Sequence, residues 1–124
     1  MDFWNSIKHF EPHEFESPDE KGSGYEMNKQ HILRLDMARK FADIPFKVNS
    51  GYRTEIHNKK VGGSPTSSHL KGLATDIHCP SPQLRWVMVK ALLDAGFKRI
   101  LIYNTFIHVD SDQTKVQPIL KLMS

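Results

Sequence analysis

The residue pattern predicts an α+β domain, a small antiparallel sheet with helices packed on one face. Two stretches repeat apolar residues at helical spacing, and each has a cap at its start and a stop at its end. A short alternating run, Leu73 to His78, reads as a strand leaving a loop. Two further β-rich runs, "RILIY" and "FIHVD", flank Asn104 and Thr105 and predict a hairpin. At 124 residues the chain has the size of one domain spanning 1–124, large enough to bury roughly two-thirds of its unfolded surface.

Taken in chain order, residues 1–26 alternate aromatics with Pro, Ser, Asp and Gly and predict a loop-rich lead-in, pinned to the core by Phe10 and Phe15. Asn28 is a good helix cap, and Ile32, Leu35, Ala38 and Ala42 form one stripe before Pro45 ends the helix. "FKVNSGYR" reads as a short strand entering a glycine turn, "TEIHNKK" as a turn or two of helix, and "GGSPTSS" as a loop. Ser81 and Pro82 supply the cap and first position of the next helix. Leu84, Val87, Met88, Ala91, Leu92 and Ala95 give its apolar stripe, and Gly96 stops it.

Composition removes several classes of function. Hydrophobic residues at 39% and charged residues at 25% are ordinary globular usage, and no apolar run is long enough to span a bilayer. The opening "MDFWNSIKHFEPHEF" lacks the apolar core of a signal peptide, so synthesis and retention in the cytoplasm are expected unless another factor releases the chain. A single cysteine, Cys79, excludes an intrachain disulfide and a multi-cysteine zinc cage, and is expected to fill core space. The net charge of +3 favours an anionic partner. No aromatic-and-basic stripe supports nucleic-acid binding.

The chemistry concentrates in "SSHLKGLATD" and "HVD". His69, Asp76 and His108 make two imidazoles and one carboxylate, a common protein set for catalytic zinc with a fourth position left for water. Gly72 is expected to let the loop pass close to the metal, and Ala74 shares the strand face of Asp76. A dication would compensate the burial of that carboxylate. His78 shares the same face, where it could handle protons or serve only as a surface histidine.

"SSHLKGLATD" fits the pattern SxHxxGxAxD and resembles the zinc D-alanyl-D-alanine carboxypeptidase family, with all five fixed positions met. That family includes vancomycin-resistance dipeptidases and phage endolysin peptidases, and shares its metal site with the hedgehog signalling domain. "SGYRTEIHNKKVGG" and "GFKRILIYNTFIHVD" extend the likeness from about Phe10 to Asp110. The resemblance implies that His69, Asp76 and His108 bind Zn2+, that Arg53 holds a substrate carboxylate or carbonyl oxygen, and that Ser67 offers a hydroxyl beside the substrate. It further implies a peptidase acting on bacterial peptidoglycan peptides at a bond involving a D-amino acid, of the kind found in phage lytic enzymes. The other reading is a zinc-bearing binding module of the same fold that has lost hydrolysis.

One position departs from the family. Where many members carry an acidic general base, three residues before the last histidine, this chain has Thr105. Asp110, two residues beyond His108 on the same strand face, is the substitute candidate for the base, with orientation of a ligand imidazole from behind as the alternative.

Overall fold

The computed structural model describes residues 2–123. Three helices, α1 (Lys29–Ala42), α2 (Glu55–Lys60) and α3 (Pro82–Asp94), join five strands. The strands are β1 (Val48–Ser50), β2 (Ala74–His78), β3 (Arg99–Ile102), β4 (Phe106–Asp110) and β5 (Ile119–Leu122). They form one sheet in the order β1-β2-β4-β3-β5. Pairing is antiparallel from β1 to β3, as the sequence predicts, and β5 adds a parallel edge beside β3. That last strand lies in "PILKLM", a run too short and too exposed to show alternation.

The local signals act as expected at the helix starts. Asn28 accepts from the His31 amide at 2.9 Å, and Ser81 accepts from the Leu84 amide at 3.2 Å with Pro82 in the first turn. Asp43, in a left-handed conformation, closes α1 two residues before Pro45. The lead-in is three 3-10 turns, at Phe3–Ser6, Pro12–Phe15 and Ser23–Glu26, whose Trp4, Phe10 and Phe15 are buried together. Cys79 is buried in the same core.

Alternation along the strands gives the sheet two chemically different faces. Ile77, Ile100, Ile107 and Val109 point into the core with Ile32, Leu35, Met88 and Leu92 from α1 and α3. Asp76, His108 and Asp110 point the other way, toward the loops around α2. The register pairs Asp76 directly with His108, and Leu101 and Arg99 of β3 with His108 and Asp110.

Candidate metal centre

His69 sits on a 3-10 turn, Ser68–Lys71, that ends at Gly72 in a left-handed conformation. A Cβ at Gly72 would lie 2.4 Å from the Glu26 carbonyl oxygen, so the glycine is required by the backbone of the segment ahead of α1. This corrects the expectation that Gly72 makes room for a metal. Ser67 has a local role on this turn: its hydroxyl accepts from the His69 amide at 3.2 Å and caps the segment that carries His69, with its own O–H left as a donor.

The sheet register brings the three ligand candidates together, with one donor atom from each within 4.8 Å of the others. Asp76 Oδ1 lies 3.3 Å from His69 Nε2 and 2.9 Å from His108 Nδ1. Each ring is fixed from its far side. His69 Nδ1 donates to the Gly51 carbonyl oxygen at 2.7 Å, and His108 Nε2 donates to Asp110 Oδ2 at 2.7 Å. Both of those partners only accept hydrogen bonds, and so does the Asp76 carboxylate on the near side, so each ring stands between two acceptors. With the proton on the far nitrogen, the two near nitrogens and Asp76 Oδ1 converge as three acceptors, which fits a shared cation, and the donor set suits zinc.

Without an ion, protons must do the same work. The pKa of His108 is raised: burial would lower it, but the carboxylates of Asp110 and Asp76 on its two nitrogens outweigh that effect. Burial likewise pushes Asp76 up, yet hydrogen bonds from His108 and His69 hold its carboxyl well below the usual range.

Asp110 does not reach the open side of this cluster. Its carboxylate is fully buried, accepts from His108 Nε2, receives Arg99 Nε at 2.9 and 3.1 Å, and accepts from the Asp112 amide at 3.1 Å. This placement favours the other role weighed from the sequence, orientation of the His108 ring from behind, over that of general base. Arg99, which the sequence analysis did not single out, completes this support. A hairpin centred between Asn104 and Thr105 already places Arg99 opposite Asp110, so the register held the clue.

Arg53 stands on the solvent side of Asp76. Its guanidinium lies 3.6 Å from Asp76 Oδ2 and donates to Ser50 Oγ and Asn58 Oδ1, both at 3.2 Å. Asn58, buried in α2, also donates to the Ser64 carbonyl and so ties the loop after α2 to the arginine. Beside them opens a cleft of about 270 Å³, lined by Asn49, Ser50, Arg53, His57, Val61, Asp76 and Phe106. Thr105 and His78 are exposed and lie outside that lining.

A family model described as Peptidase M15 matches residues 8–110. The chain belongs to the peptidase M15 family. Peptidases of the M15 family are zinc-dependent metallopeptidases, and the His-Asp-His cluster is the donor set that such chemistry requires. No curated protein matches the chain significantly. The M15 match runs from the lead-in to Asp110 and leaves β5 outside it.

Proposed function

We propose that this chain is a zinc peptidase that hydrolyses an amide bond in bacterial peptidoglycan peptides, at a bond involving a D-amino acid. The observation that carries the proposal is the convergence of His69 Nε2, Asp76 Oδ1 and His108 Nδ1, each ring supported on its far nitrogen by the Gly51 carbonyl or the Asp110 carboxylate. A zinc ion bound there supplies an acidified water and a Lewis acid for the scissile carbonyl. Arg53, which donates to Ser50 and Asn58 and pairs by charge with Asp76, has N–H donors left for a substrate carboxylate or developing oxyanion. Val61 and Phe106 give the cleft an apolar wall for the substrate side chain. With Asp110 facing away, His57 is the titratable side chain in the cleft besides Arg53 and Asp76, and we assign it the exchange of protons with substrate.

The resemblance to phage endolysin peptidases supports a lytic role in which the chain meets the wall after release by another factor. No described helix is long and apolar enough to cross a membrane.

A second reading, a zinc-bearing binding module, draws on one observation. Among the described residues, Asp76 is the only carboxylate in the cleft lining, since Thr105 stands at the usual acid position and Asp110 lies behind His108. Incubation of the zinc-loaded protein with purified muropeptides, read by mass spectrometry, separates the two. Loss of a terminal residue or cleavage of a cross-link supports the peptidase; intact muropeptides at full zinc occupancy support the binding module.

A further inference from the structure

Just outside the cluster lies a third buried carboxylate, beside Asp76 and Asp110, that the chemistry above does not use. Asp112 is 1% exposed, and its oxygens collect donors from separate segments. Ser68 Oγ donates to Oδ2 at 2.7 Å and Lys71 Nζ reaches the same oxygen at 3.2 Å. Thr114 closes on Oδ1 with its amide at 3.1 Å and its hydroxyl at 2.6 Å. Lys115 Nζ donates to Ser68 Oγ at 2.8 Å and lies 3.9 Å from Oδ2. On the other side, the Asp112 amide donates to Asp110 Oδ1, and the neighbouring Ser111 amide donates to the Leu73 carbonyl at 2.9 Å.

These bonds join the two halves of the metal cluster. Ser68 and Lys71 flank His69 on its turn, whereas Asp110 holds the ring of His108. Burying a charged group contributes little net stability compared with well-packed apolar residues, and its worth lies more often in fixing one arrangement. We propose that Asp112 is a positioning residue: it clamps the His69 turn to the end of β4 and thereby sets the spacing of the two imidazoles about Asp76. This inference rests on the reading of His69, Asp76 and His108 as metal ligands.

Two variants test it. Asp112→Asn removes the charge at nearly constant shape, and Ser68→Ala removes the buried hydroxyl link to the His69 turn while keeping the carboxylate, leaving from that turn the half-exposed Lys71 contact. Both are expected to weaken zinc binding about 10–100-fold, the usual cost of losing support behind a ligand, measured by competition with a chelating dye on protein shown to be folded. Asp94→Asn, which removes a carboxylate from an exposed pair with Lys90, should bind zinc as the wild type does. Imidazole NMR signals of His69 in the metal-free protein should move in Ser68→Ala, and those of exposed His9 and His13 should stay.

Wild-type zinc affinity in both variants would overturn the clamp. If Asp112→Asn fails to fold, Ser68→Ala alone decides. If the wild type itself binds no zinc, the metal reading falls, and unmoved His69 signals in Ser68→Ala would then overturn the clamp separately.

Discussion

Strand β2 carries a histidine site on each of its faces, and the two are chemically opposite. On the core face, Thr75 meets His31 of α1: Nε2 lies 2.9 Å from Thr75 Oγ1 and Nδ1 lies 2.8 Å from Ser111 Oγ, with Phe97 edge-on to the ring. Hydroxyls can rotate to donate or accept, so they satisfy a neutral imidazole in either tautomer. On the cleft face, one residue along, Asp76 meets two imidazoles whose far nitrogens are committed to acceptors. Burial alone therefore does not mark a functional histidine, since His31 is the most deeply buried of the three. What marks the site is two imidazoles, each backed by an acceptor, that converge on one carboxylate.

The contrast fails first if the cleft-face cluster does not need its ligands. The wild type is expected to bind one zinc per chain, and His108→Ala and His69→Ala should each lose it, and hydrolysis with it, by elemental analysis and muropeptide assay. Zinc retained at wild-type affinity in either variant would remove that residue from the ligand set.

Arg53→Ala comes next in size. Removing a donor aimed at an oxyanion typically costs about 10²–10³-fold in turnover, and zinc content should remain full because the guanidinium is not a ligand. Unchanged turnover would show that the arginine serves only Asp76, Ser50 and Asn58.

A smaller effect is expected behind the cluster. Asp110→Asn should weaken zinc affinity about 10–100-fold and reduce activity no further than the lost zinc accounts for. Restored hydrolysis at saturating zinc supports the orienting role, whereas a dead enzyme at full occupancy would return Asp110 to proton transfer.

The core-face histidine leaves the metal site untouched and gives a distinct signature. Burial pushes the His31 pKa down to about 3, against a charge effect from Asp110 in the other direction. Below pH about 6.5 the unfolded chain takes up a proton on His31 that the folded chain refuses, so stability falls as pH falls, by about 1.4 kcal/mol per unit, until the folded pKa is reached. Between pH 7 and 5, metal-free wild type should therefore lose about 2 kcal/mol more than His31→Gln in denaturant unfolding. Equal losses would show that His31 is charged in the fold. Zinc content of His31→Gln should match the wild type.

Much of this protein was legible from residue order, because the signals are short in range. Asn28 and Ser81 cap helices through bonds three residues away, Gly96 stops α3, and the alternation of Leu73 to His78 names which side chains share a face with Asp76. The ligand types came from the same short reach, since SxHxxGxAxD lies within one turn and one strand. What residue order could not supply was direction. Asp110 shares a strand face with His108, which fitted a base in the cleft as well as a support behind the ring; the choice was made by Arg99 from β3 and the Asp112 amide, which hold the carboxylate on the far nitrogen. His31 had no partner in sequence, because Thr75 and Ser111 lie 44 and 80 residues away. Short-range bonds and alternation are fixed by neighbours along the chain, whereas the side from which a ring is held depends on groups that only the packed sheet brings within 3 Å.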